Sequence, residues 1–191
     1  ASCHSLKLVA YRNLGDVGYS ADEVKAIAAE FEVTDGPNDD GDMFTRPARP
    51  ADRFAAPFEN DKAARAANNG AMPPDLSLIT KARPGGEDYL YALLTGYEDE
   101  PEDFELSDGM SYNKVFSGHQ IAMAQPLFEE QVEYDDETEA TVEQMSRDVA
   151  VFLTWTAEPA LEDRKRIGVK VLIFLSIMLI LLILVKRQVW S

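Results

Sequence analysis

Cysteine is scarce, one among 191 residues, and so is histidine, with two. A lone Cys3 excludes an intrachain disulfide framework and leaves the compartment open. Acidic residues are absent after Asp163. All 34 lie at or before it, while six of the 18 Lys and Arg follow it, so the first 163 residues set 12 bases against 34 acids, net −22, where the whole chain carries −16. Phosphate is repelled by such a surface, which excludes nucleic acid as a partner. A basic protein would be drawn to it by long-range steering, although acidity also serves solubility alone. Internal repeats are absent and alternating strand patterns nearly so, which makes the class mainly α. No signal-peptide pattern opens the chain at Ala1, so export implies a signal already removed.

What the C-terminus has instead of acid is a long apolar run. Val171 to Val185 (VLIFLSIMLILLILV) holds no charge and one polar residue, Ser176. Counted from Ile167 the stretch reaches 19 residues, against the ~20 a spanning helix needs, provided Lys170 snorkels its amine to the interface. Arg164-Lys165-Arg166 and Lys186-Arg187 bracket it, and Trp190 supplies an interfacial aromatic. These flanks weigh against a buried core helix. A literal positive-inside count puts the large domain in the cytoplasm, but long domains are translocated largely regardless of that count.

Ahead of the anchor the pattern is short helices joined by long loops. Ser20 to Phe31 opens with a capping box, Ser20 with Glu23, and puts Val24, Ile27, Ala28 and Phe31 on one helical face. Thr34 to Pro57, rich in Asp, Gly and Pro, reads as an ordered loop. Asn60 to Asn68 suits a further short helix. Glu87 to Thr95 is amphipathic and is followed by Gly96, a C-cap residue type. Glu139 to Ala157 spaces Val142, Met145, Val149, Phe152 and Leu153 helically and is closed by Pro159.

Cys3-His4 is the second half of the haem-attachment motif C-x-x-C-H, in which each thiol adds to a vinyl group and the histidine ligates iron. By the motif's spacing the first cysteine is expected immediately before Ala1. Alone, the dipeptide is as readily an ordinary free thiol beside a histidine. An electron-transfer haem needs a second axial ligand, and a methionine thioether raises the potential. Met178 lies in the apolar run and Met145 on a helix face. Met123, in Ile121-Ala122-Met123-Ala124-Gln125-Pro126, stands in a loop of small residues able to approach a flat macrocycle. Met43, Met72 and Met110 stay open on spacing, and His119 is the rival ligand.

Ala67-Asn68-Asn69-Gly70-Ala71-Met72-Pro73-Pro74-Asp75-Leu76-Ser77 is followed by Gly85-Gly86-Glu87-Asp88-Tyr89, Leu94-Thr95-Gly96-Tyr97, Ile121-Ala122-Met123-Ala124, Glu133-Tyr134-Asp135-Asp136 and Ala157-Glu158-Pro159. In that order, and with Arg164-Lys165-Arg166 and the anchor after them, these segments resemble the cytochrome c1 family over essentially the whole chain. The resemblance implies a covalent haem c with Cys3 holding the second thioether, His4 as proximal ligand and Met123 as distal ligand. It implies that Arg83 pairs with a haem propionate and that Asn68, Pro73, Pro74 and Tyr89 line the pocket. Without it, Arg83 is a surface charge and Pro73-Pro74 a fixed turn. Two departures stand out: the first cysteine is not in the chain, as in a fragment beginning inside the motif, and Gln125 replaces a proline frequent in the family.

The fold expected is therefore a mainly α, cytochrome c-like haem domain with long loops and one C-terminal transmembrane helix. Its parts are an extracytoplasmic domain over 1–163, an anchor over 164–187 and a short cytoplasmic tail over 188–191. The resemblance implies a one-electron carrier of the cytochrome bc1 complex, an enzyme only as part of that ubiquinol:cytochrome c oxidoreductase. Cytochrome b and the Rieske iron-sulfur protein would be its partners in a dimeric assembly in the lipid bilayer, and a basic c-type cytochrome its acceptor. The acidic stretches Glu98 to Glu105 and Glu129 to Glu137 would attract that acceptor. The short tail and acidic insertions favour a bacterial inner membrane, with the haem domain in the periplasm, over a mitochondrial one. The rivals are a haem peroxidase lacking the axial methionine and a membrane-tethered acidic binding module without redox function.

Overall fold

In the computed structural model residues 2–190 are described; Ala1 and Ser191, the outermost residues of the expected haem domain and tail, lie outside them. Local sequence explains the starts of two of the helices, those after Ser20 and Asn60. α1 (Ala21–Ala29) has the expected capping box: Ser20 Oγ accepts from the Glu23 N–H at 3.4 Å, and the Glu23 carboxylate accepts from the Ser20 N–H at 2.8 Å. A hydrogen bond from the Ser20 hydroxyl to the Glu23 carboxylate at 2.7 Å, with the one from the Ser20 N–H, holds that carboxyl below its ordinary value. The helix stops earlier than expected. Glu30 caps it, and Phe31 leaves the helical face for a tilted contact with Tyr11 at 5.6 Å, because the β-prone Val33-Thr34 that follow pair elsewhere.

They pair in a hairpin that runs into the stretch, from Thr34 onward, expected to be loop. β1 (Glu32–Asp35) lies antiparallel to β2 (Phe44–Pro47), in register Val33 to Arg46 and Thr34 to Thr45, with the Asp, Gly and Pro residues confined to the turn. Arg46 ties it down, donating to Asp35 at 2.5 Å and to Asp52 at 2.6 Å. The guanidinium is the main reason the Asp52 carboxyl falls to about 2.

α2 (Asp61–Ala67) starts at Asn60, whose side chain accepts from the N–H groups of Lys62 and Ala63. α3 (Ile79–Ala82) and α4 (Gly86–Leu94) follow, then a second two-stranded hairpin, β3 (Ser111–Tyr112) with β4 (Gln120–Ile121). α5 (Val142–Ala157) begins three residues later than expected. Its buried stripe is Ser146, Ala150, Leu153 and Ala157 beside Met145, while Val149 is exposed. Small side chains let α4 and α3 pack closely against this face, which turns the apolar β-branched residue outward.

Residues 1–157 and 158–191 form two compact units. In the first, Leu6 and Val9 join Ile79 of α3, Leu90 of α4, and Ala150 and Leu153 of α5 in one apolar cluster. A second cluster gathers Tyr11, Leu14, Val24, Ala28 and Ala48, and Phe54 and Trp155 touch both. The second unit is α6 (Leu161–Val189), 29 residues with a mean hydropathy of 3.0 over its most apolar stretch. At 1.5 Å per residue it is about 43 Å long, more than the ~30 Å of a bilayer core. None of its residues is buried, as in a helix whose solvent is lipid, and it is long and apolar enough to cross a membrane.

Candidate functional site

The chain immediately before and after His4 is laid along the Pro73-to-Ser77 segment. His4 Nδ1 donates to the Pro74 carbonyl at 2.8 Å. This fixes the ring tautomer and leaves Nε2, which has no hydrogen bond among the described residues, as a lone-pair donor. Cys3 beside it is a free, exposed thiol. It opens on a cleft lined by Ser5, Met72, Pro73 and residues 56–61.

Two residues without an assigned role in the sequence motif hold this arrangement. Asp75 accepts from Ser5 Oγ at 2.8 Å, from the Lys7 N–H at 2.9 Å and from the Ser77 N–H at 2.9 Å. Burial works to raise its pKa, but the hydrogen bonds from Lys7, Ser77 and Ser5 outweigh it and hold the carboxyl below its ordinary value. Ser77 is fully buried and its hydroxyl accepts from the Leu8 N–H at 3.1 Å. The Leu76 N–H donates to the Ser5 carbonyl at 2.9 Å, completing a strap that fixes the backbone on the far side of His4. Position in the Pro-Pro-Asp-Leu-Ser run was the signal available for both residues.

Met123 belongs to a different segment. It lies two residues after β4, is half-buried, and its carbonyl accepts from Tyr97 Oη at 3.0 Å. Burial pushes the Tyr97 phenol up to about 12, so it stays a donor across the physiological range. α4 is tied to both segments: Leu90 shares an apolar cluster with Leu6, and the chain leaving the helix carries Tyr97.

The rival donors are placed elsewhere. Met43 is exposed near the β1–β2 turn, Met145 is buried in α5, Met178 is in α6, and Met110 closes a turn onto Ser107. Met72 stays beside Cys3, on the segment that backs His4 rather than across from it. His119 sits at positive φ in the exposed β3–β4 turn, stacked 6.0 Å from Tyr112.

Of the pocket residues expected from sequence, Pro73 and Pro74 stand next to His4 as described. Asn68 caps α2, its amide donating to the Ala64 carbonyl at 2.7 Å. Tyr89 is half-buried on α4, against the cluster containing Leu6. Arg83 is exposed at the end of α3, and among the described residues its guanidinium reaches only the Ala82 carbonyl, at 3.3 Å. A thiol, an imidazole with a free Nε2 and a thioether are donor types that a c-type haem takes, so the residues present fit that group.

The Cytochrome C1 family matches residues 1–191. Among individual proteins, the chain is 52% identical over 191 residues to "Cytochrome c1 2, heme protein, mitochondrial" of Arabidopsis thaliana, a match spanning all of this chain and 62% of that protein. It is 47% identical over 206 residues to "Cytochrome c1" of Rhodospirillum rubrum, spanning all of this chain and 76% of the relative. The "Cytochrome b-c1 complex catalytic subunit, mitochondrial" of Candida albicans is 51% identical over 192 residues, again with the whole chain matched and 67% of the relative covered.

Proposed function

Since the chain belongs to the Cytochrome C1 family, we propose that it is a one-electron carrier in a cytochrome bc1 complex, working through a covalent haem ligated by His4 and Met123. The observation that carries the reading is the His4 Nδ1 to Pro74 hydrogen bond, which prepares Nε2 for iron beside the Cys3 thiol. The haem supplies the chemistry, a change of one charge at iron between ferric and ferrous states.

The protein's part is to hold its ligands still while that charge changes. The 73–77 strap keeps the imidazole oriented, so that reduction requires no rearrangement on the proximal side. A neutral thioether from Met123 favours the ferrous state relative to a second imidazole and raises the potential. Hydrogen-bonded among the described residues to a neighbouring carbonyl alone, the Arg83 guanidinium suits a propionate. Asn68, Pro73, Pro74 and Tyr89 complete the pocket.

The Rieske iron-sulfur protein is the proposed donor and a basic c-type cytochrome the acceptor, with cytochrome b as the neighbour in a dimeric complex. Exposed carboxylates over 98–105 and 129–137 provide the weak, screened attraction a rapidly exchanging redox encounter needs. α6 anchors the haem domain outside the cytoplasm, the side on which this haem attachment takes place. A bacterial inner membrane is the proposed setting; relatives named above come from a bacterium and from mitochondria.

The test is a reduced-minus-oxidised spectrum and redox titration of the full-length protein with its complete attachment motif, compared with Met123→Leu. A sharp low-spin c-type signal is expected, with a potential that falls by roughly hundreds of millivolts in the variant. Absence of a haem signal, or an unchanged potential, overturns the ligation.

A further inference from the structure

The Leu94-Thr95-Gly96-Tyr97 motif has no part in the ligand set, yet it ends in a side chain hydrogen-bonded to the Met123 backbone. The frame around it is unusually well tied. Asn113 is fully buried: its amide donates to the Leu93 carbonyl at 2.8 Å, and its Oδ1 accepts from the N–H groups of Val115 at 3.0 Å and Phe116 at 3.1 Å. The Lys114 N–H donates to the Gly96 carbonyl, and the Asn113 N–H to that of His119. A Cβ at Gly96 would lie 2.7 Å from the Ala92 carbonyl oxygen and 3.0 Å from Asn113 Oδ1, so the approach is as close as glycine permits. The end of α4 and the β3–β4 hairpin are thus one body as far as Ile121.

Beyond Ile121 the ties stop. Among the described residues, the bond from Tyr97 Oη is the only hydrogen bond that reaches the backbone of residues 122 to 124, and Ala122 and Ala124 are exposed. We infer that Tyr97 is a positioning residue for the distal ligand: it clamps the Met123 carbonyl to the end of α4 and so keeps the thioether on iron against competing ligands. The inference rests on Met123 being the distal ligand. A neutral thioether is readily displaced from ferric iron, and swinging the loop away first requires breaking this hydrogen bond. Losing the bond should shift the equilibrium between bound and displaced sulfur by about three- to tenfold.

The experiment uses the full-length, haem-loaded protein and measures two things: the near-infrared sulfur-to-ferric-iron band, and the dissociation constant of imidazole for the ferric haem. In Tyr97→Phe, which keeps the ring and removes the hydroxyl, imidazole is expected to bind about three- to tenfold more tightly than in the unaltered protein. Tyr112→Phe, on the same hairpin, loses a hydroxyl without a bond to Met123 and is expected to leave the constant unchanged. Ala122→Gly loosens the same loop at an exposed site with Tyr97 intact, and should move the constant in the same direction as Tyr97→Phe. If the unaltered protein lacks the sulfur band, Met123 ligation fails and this inference with it. If the band is present but Tyr97→Phe binds imidazole no more tightly than Tyr112→Phe, or Ala122→Gly produces no shift, only the clamp is overturned.

Discussion

Asp75 decides how firmly His4 is presented. One carboxylate collects a hydroxyl and two backbone N–H groups from segments about 70 residues apart in sequence, and no neutral side chain of that size can accept all three well. Asp75→Asn is expected to cost about 1–3 kcal/mol in thermal or denaturant unfolding. The pH dependence follows from the sign of its shift. The folded carboxyl is held below its ordinary value, so its stabilisation is in full force above the ordinary Asp pKa of about 4 and is lost as pH falls through the lower folded value. The gap between wild type and Asp75→Asn should therefore be wide at neutral pH and shrink below about pH 4. A gap independent of pH would mean that the neutral form of Asp75 holds the strap equally well.

At the scale of elements, the end of α4 is where close approach replaces chemistry. Gly96 was recognisable as a C-cap residue type, but it does not take the left-handed conformation such caps use; Thr95 caps the helix, and Gly96 is needed because three groups crowd its Cβ position. Gly96→Ala should cost about 2–4 kcal/mol by thermal melting, since two of the contacts are to backbone and to a fully buried side chain that cannot yield. Gly15→Ala, whose Cβ would meet nothing within 4 Å, should be close to neutral. Equal effects at the two sites would show that the α4 junction relaxes freely. α5 illustrates the same point in packing: periodicity located the helix, but which side faces inward was set by the small residues that α3 and α4 can approach.

For the whole molecule, charge governs encounter rather than fold. Net −22 over the first 163 residues, with the 98–105 and 129–137 carboxylates exposed, predicts that electron transfer to a basic c-type cytochrome falls at least about tenfold in second-order rate between roughly 10 and 200 mM salt. Stopped-flow measurement checks this, and a rate indifferent to salt would remove these loops from the docking surface. Glu98 is partly committed already, to Lys114 at 3.0 Å.

Sequence by itself determined what depends on residues close together in the chain. The apolar run and its basic flanks specify α6, the Ser20–Glu23 box starts α1, and Cys3-His4 with the ordered motifs points to the thiol, imidazole and thioether. The hairpin over 32–47 escaped because its turn over 36–43, rich in Asp, Gly and Pro, is as long as its two strands together, and Arg46, which secures it, gains its partners only when the strands pair. Tertiary structure alone decided what spans the chain: Pro74 behind His4, Asp75 beneath the N-terminal segment, and Tyr97 on the Met123 carbonyl, partners 26 to 70 residues apart. The physical reason is that periodicity and capping record contacts within a few residues, whereas a hydrogen bond between distant segments forms only after packing has brought its donor and acceptor together.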